Sequence, residues 1–142
     1  MSMARKPAER ESGRVRRAAR RPLLGLGELE ALAMDVVWRT GEPVRVRDVI
    51  DGLEPGRDPA YTTVMTVMDN LYRKGWLTRE RCGRAYFYAA ARSRTEAATD
   101  AVRDLLAGAD DPAEVLLHFA RDATDAESKA LSRGLRQRRR AQ

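Results

Sequence analysis

The chain has almost nothing with which to brace itself covalently or through a metal: a single cysteine, Cys82, and a single histidine, His118, in 142 residues. One thiol permits no internal disulfide, and one thiol with one imidazole cannot close a zinc site from the ligands such sites prefer. No uninterrupted apolar run approaches the roughly 20 residues needed to cross a bilayer, and the basic N-terminus is not followed by the apolar stretch of a secretory signal. Neither a Gly-rich phosphate cradle nor a Gly-x-Ser-x-Gly elbow is present, and a lone histidine leaves few nucleophile and base pairings. These absences argue against an enzyme and describe a cytoplasmic protein free of metal and cofactor. The length allows one compact unit or two small ones.

What the chain does have is positive charge, unevenly placed. The net charge is +6, but residues 1–22 carry +6 by themselves, residues 57–92 carry +4 and residues 133–142 carry +5, while residues 23–56 (−4) and 93–132 (−5) are acidic. A basic middle segment between acidic flanks argues for a polyanionic partner more strongly than overall pI does.

Within that middle segment, residues 60–75 read as one helix with two incompatible faces. Val64, Val67, Met68 and Leu71 fall at i, i+3, i+4, i+7, the spacing of a single buried stripe. Thr62, Thr63, Thr66, Asn70 and Arg73 fall elsewhere, and Asp69 is the only acidic residue among them. An exposed side made of short hydroxyls, an amide and a cation suits a polar polyanion, most simply the DNA major groove. Upstream, Val46, Val49, Ile50 and Leu53 repeat the stripe over a short helix that stops at Pro55-Gly56, which predicts a connection of only a few residues. Gly75 is a good left-handed stop. Beyond it, residues 76–81 and 84–88 are rich in β-formers and flank Cys82-Gly83, the pattern of a hairpin. Helix, helix, helix, hairpin is the order of a winged helix-turn-helix, with the third helix as reader and Arg79, Arg81 and Arg84 around the wing tip. The expected fold is mainly α with a small β-hairpin wing: a DNA-binding domain at 23–92 followed by a helical unit.

The second unit spans residues 93–135 and reads as three short helices, opened by Ser93-Arg94-Thr95-Glu96, Asp111-Pro112-Ala113-Glu114 and Thr124-Asp125-Ala126-Glu127, each a capping side chain three residues before a Glu. Their apolar sides, including Val102, Leu105 and Leu106, then Leu116 and Phe119, then Leu131, bury too little to stand alone. Packing against the same unit of a second chain is the economical solution, giving a homodimer. Residues 1–22 read as a disordered basic arm. The basic tail at 136–142 either extends the last helix or reaches DNA, charge runs being solvated by default.

The run from Ala60 to Gly75, preceded by Leu29-Glu30 and Val36-Val37-Trp38 and followed by Tyr86-Phe87-Tyr88, resembles the penicillinase-repressor family, the BlaI/MecI/CopY group, over about residues 24–135. The resemblance implies a homodimeric repressor that sits on a dyad operator and blocks transcription of a resistance or stress operon. It implies DNA reading by Thr62, Thr63, Met65 and Thr66, with Arg73, Arg81 and Arg84 toward phosphate. Met65 also fits a gap-filler in a core. In the β-lactam branch, a membrane-anchored sensor protease leads to a cut before a Phe in the dimerisation unit. The matching bond is His118-Phe119, with His where the family usually has Asn. The same residues read from periodicity as a dimer anchor, Phe119, beside an exposed His118. The copper-responsive branch carries a cysteine cluster near its C-terminus, where this chain has arginines, so Cu(I) sensing through thiolates is disfavoured. Cys82 at the wing tip suits either an ordinary surface thiol or a redox switch. The rival reading is a non-specific basic architectural DNA-binding protein, which would show no large preference for one sequence over random duplex.

Overall fold

The computed structural model describes residue 23 and residues 25–142; the arm at residues 1–22 lies outside them. Two compact units divide the chain, the first ending at Thr99 and the second running Asp100–Gln142.

In the first unit, Glu28–Thr40 (α1) starts behind Gly27, whose backbone N–H donates to Glu30 Oε1 at 2.8 Å. The first N–H groups of a helix have no partner inside it, so a carboxylate three residues in supplies one and faces the positive end of the helix dipole. Val46–Gly52 (α2) begins the same way, with the Arg45 N–H donating to Asp48 Oδ2 at 2.9 Å. That backbone bond, helped by the Arg45 guanidinium, holds the Asp48 carboxyl below its ordinary pKa. Tyr61–Arg73 (α3) buries Val64, Met68 and Leu71, with Val67 packed at the edge of the core. The spacing in the sequence predicts this stripe. The connection from α2 to α3 is longer than expected, eight residues from Leu53 to Ala60, because α2 ends at Gly52, ahead of Pro55-Gly56.

Gly75 closes α3. With φ at +85° it takes a backbone region that costs other residues energy. Its N–H donates to Tyr72 O at 3.0 Å while that of Trp76 donates to Leu71 O at 2.9 Å, which satisfies two carbonyls at the helix end. Leu77–Cys82 (β1) and Ala85–Ala90 (β2) then pair antiparallel, Leu77 opposite Ala90 and Cys82 opposite Ala85. The turn is therefore Gly83-Arg84, one residue later than the Cys82-Gly83 turn expected from sequence. Gly83 has φ +64° and Arg84 a negative φ, so the glycine takes the first turn position, as in a type II′ hairpin. Cys82 is the exposed last residue of β1 rather than a turn residue.

Val44 adds one rung beside β2, exchanging N–H···O bonds of 2.8 and 2.7 Å with Tyr88. This rung fixes the base of the wing to the α1–α2 corner. The core so enclosed joins Met34, Val36 and Val37 of α1, Val46 and Val49 of α2, the α3 stripe, and Leu77 and Tyr88 of the wing.

Among the described residues one charged side chain is buried in this unit, Glu30. Lys74 Nζ lies 2.8 Å from its Oε1 and 3.1 Å from Gly25 O, tying the end of α3 to the start of α1. Burial raises the Glu30 pKa, but the Lys74 ammonium and the Gly27 N–H outweigh it, and the net shift is downward from 4.5. A carboxylate with a depressed folded-state pKa contributes stability that is present above its unfolded value and lost as pH falls through the folded one. The melting-temperature gap between wild type and Glu30→Gln should accordingly be full at neutral pH and shrink as pH drops below about 4.5. Thermal melts across that range check it, and a gap independent of pH would show that the carboxylate charge plays no part.

The helix Arg94–Ala107 (α4) crosses the division; Ser93 Oγ accepts the Glu96 N–H at 3.1 Å at its start. Pro112–Asp122 (α5) is capped by Asp111 Oδ1, which accepts from Glu114 N at 3.2 Å. Asp125–Ala141 (α6) has the full reciprocal cap, Glu127 N to Thr124 Oγ1 at 3.1 Å and Thr124 N to Glu127 Oε1 at 2.9 Å. Its 17 residues take in the arginines at 136–140, so the last helix is not short. None of residues 100–142 is buried.

Candidate nucleic-acid interface

Opposite the buried stripe of α3, Thr62, Thr66, Asp69 and Arg73 fall at i, i+4, i+7 and i+11, a single line along the helix. Thr63 and Asn70 flank it on one side, Tyr61, Met65 and Tyr72 on the other. All of these are exposed except Asp69, which is partly covered. Met65 is 45% exposed, so it is not a core gap-filler. Thr66 Oγ1 donates to Thr62 O at 3.0 Å. Its proton is thus committed to the helix, and the side chain offers outward a methyl group and an acceptor oxygen.

Asp69 organises the C-terminal half of this face. Arg73 Nε sits 3.1 Å from Asp69 Oδ2 and Arg79 Nη1 3.2 Å from Oδ1. Arg73 remains mostly exposed, where a solvent-screened pair is weak enough for a phosphate to compete for the cation. The i, i+4 spacing of Asp69 and Arg73 permits this pair.

Arg79 is a different case. Sequence groups it with the wing-tip cations, but its guanidinium lies 4.0 Å from the Tyr72 ring centroid and 4.3 Å from that of Tyr86. Held between a ring from α3 and a ring from β2, and bonded to Asp69, it locks the wing to α3 rather than reaching outward. No sequence signal short of the three-dimensional pairing marks Tyr72 and Tyr86 as its partners.

At the tip, Arg81 Nε donates to Gly83 O at 3.2 Å and Arg84 occupies the second turn position; both side chains are exposed. Neither has a carboxylate partner among the described residues. The wing base is closed by Trp38, whose Nε1 donates to Arg92 O at 2.9 Å and whose ring meets Trp76 edge-on at 6.3 Å between centroids.

In the second unit, Val102 and Leu105 lie exposed on α4 with Leu106 partly covered, Leu116 and Phe119 are exposed on α5, and Leu131 on α6. His118 and Phe119 sit inside α5, His118 Nε2 3.0 Å from Glu114 Oε1.

An apolar stripe that anchors a helix, a threonine-lined line directly behind it, and a basic hairpin clamped to that helix together define a winged-helix DNA-binding module. The chain belongs to the penicillinase repressor family, whose model matches residues 26–137, a family of DNA-binding transcriptional repressors and not of enzymes. It is 40% identical over 116 residues to the transcriptional regulator BlaI of Mycobacterium tuberculosis, in two strains, an alignment covering 80% of this chain and 84% of the relative. Solved structures that it resembles include the solution structure of the Bacillus licheniformis BlaI monomeric form in complex with the blaP half-operator. That match has 22% identity and a TM-score of 0.43, over 52% of this chain and 89% of that one. A MarR-like transcriptional regulator from Thermotoga maritima matches with 19% identity and a TM-score of 0.39, over 82% and 77%.

Proposed function

We propose that the protein is a homodimeric repressor that occupies a two-fold-symmetric operator in the bacterial cytoplasm and blocks transcription of a resistance or stress operon. The observation that supports DNA reading is the exposed face of α3; in this reading Thr62, Thr63, Met65 and Thr66 meet base edges. Thr methyls and the Met thioether suit thymine methyl groups, while Arg73, Arg81 and Arg84 hold phosphates. Dimerisation is supported by a second unit with no buried residue, since three helices without a core of their own need a partner surface to order them. The partner is a second copy, with Val102, Leu105, Leu106, Leu116, Phe119 and Leu131 at the contact. Two modules on one operator also multiply selectivity, because each mismatched base pair costs only about 1 to 3 kcal/mol.

Release would follow a cut at His118-Phe119 through a pathway headed by a membrane-anchored sensor protease. The bond lies in the middle of α5, so a protease engages it only after that helix opens locally. Cutting there separates α6 from the rest of the contact.

Genome-wide mapping of bound DNA followed by footprinting tests the whole reading; a protected palindrome upstream of a small set of genes is expected, and uniform occupancy would favour the architectural alternative. At residue level, Thr63→Ala with Thr66→Ala should weaken operator binding about tenfold to a hundredfold per lost base contact and leave affinity for random duplex nearly unchanged. Equal losses on both duplexes would remove the threonines from the reading role.

A further inference from the structure

A second basic surface lies outside the winged module. On α6, Lys129, Arg133, Arg136 and Arg140 fall at i, i+4, i+7 and i+11, which puts four cations on one narrow line about 16 Å long. Leu131 and Leu135 lie on the opposite side of the same helix, so an apolar contact through them leaves the basic line facing away. Several cations of the first unit are paired with carboxylates: Arg57 with Glu28, Arg73 and Arg79 with Asp69, Lys74 with Glu30, Arg94 with Asp35. The four on α6 have no carboxylate partner among the described residues. A helix C-terminus favours cations through its dipole, but that effect fades within the last turn, and Lys129 and Arg133 stand more than a turn from it.

We propose that this stripe is a second duplex-binding surface, one that grips the sugar-phosphate backbone without reading sequence. The inference rests on the DNA-binding reading above and extends it to a face of α6 that the reading does not use. A duplex carries one negative charge per roughly 1.7 Å of axis, so a line of this length faces about ten phosphate charges, ample for four cations. Guanidiniums suit phosphate oxygens because their forked N–H donors can bond two at once. The absence of aromatic or amide side chains from the line matches a contact that recognises charge alone.

The test is a salt series with the full-length protein on a mixed-sequence linear duplex, comparing wild type with the variant Lys129→Gln, Arg133→Gln, Arg136→Gln, Arg140→Gln. Glutamine keeps helix propensity, and helical content and oligomeric mass are measured alongside. Loss of four phosphate contacts should flatten the slope of log affinity against log salt by about 3 to 4, roughly a hundredfold less weakening over a fourfold rise in salt. The three arginines replaced by lysine should keep most of the slope, including in any preparation where the glutamine variant misfolds. An unchanged slope in a folded glutamine variant overturns the proposal. So does a slope unchanged on DNA together with lost binding to phosphatidylserine vesicles or to polyglutamate, which would assign the stripe to a membrane or an acidic protein. A wild type that binds no duplex at all fails the repressor reading itself, a separate outcome from the others.

Discussion

Phe119→Asp is expected to turn the proposed dimer into a monomer. Phe119 is 54% exposed in the single chain, and covering the remainder of its ring in a symmetric contact contributes about 1 to 2 kcal/mol. The substitution removes that and places a carboxylate in an apolar contact. An uncompensated buried charge costs about 3 to 5 kcal/mol, and two-fold symmetry introduces the change twice. The dimer dissociation constant should rise by a factor of roughly a thousand or more, and sedimentation or light scattering would report half the wild-type mass at micromolar protein. Since α5 and α6 hold no buried residue of their own, their helical signal should weaken as the monomer forms. Unchanged mass would place the contact elsewhere.

Leu71→Ala should destabilise the first unit almost as severely. Leu71 has no exposed surface and sits where α3 turns into the wing. Truncating such a leucine costs about 2 to 5 kcal/mol through lost transfer energy and the cavity left behind. A unit of this size has little more than that in reserve, since stability runs to about 0.05 to 0.15 kcal/mol per residue. At roughly 4 to 8 °C per kcal/mol, the melting temperature should fall by about 10 to 30 °C. Leu71→Met, which conserves volume, should cost under about 1.5 kcal/mol. Thermal melts of the two variants decide the matter: similar melting points would mean that the site collapses around the cavity and that α3 is held mainly by other contacts.

Features with a short period were legible in the sequence. Val64, Met68 and Leu71 declare their stripe through spacing alone, Gly75 ends the helix as its chemistry requires, and Ser93, Asp111 and Thr124 each cap the helix that they precede. All of these depend on neighbours within a turn. The sequence places the hairpin turn one residue early because Gly83 belongs to both candidate pairs, and only the strand register separates them. The Val44 rung on Tyr88 joins residues 44 apart in sequence, with no local mark at either end. The sharing of Asp69 between Arg73 and Arg79 escaped for the same reason: helical spacing announces the first partner, but the second arrives only when β1 folds back across α3. Arg79 therefore looked like a surface cation in one dimension and is a clamp in three.

The placement of the two tryptophans gives the molecule a built-in optical division of labour. Trp38 and Trp76 meet edge to face at the foot of the wing, beneath the Arg94 and Arg92 guanidiniums respectively, and the chain has no other indole. Emission therefore tracks the winged module alone, whereas far-ultraviolet dichroism sums the helices of both units. A chain whose helical signal fades while its fluorescence holds has loosened beyond Thr99 and kept its winged unit intact.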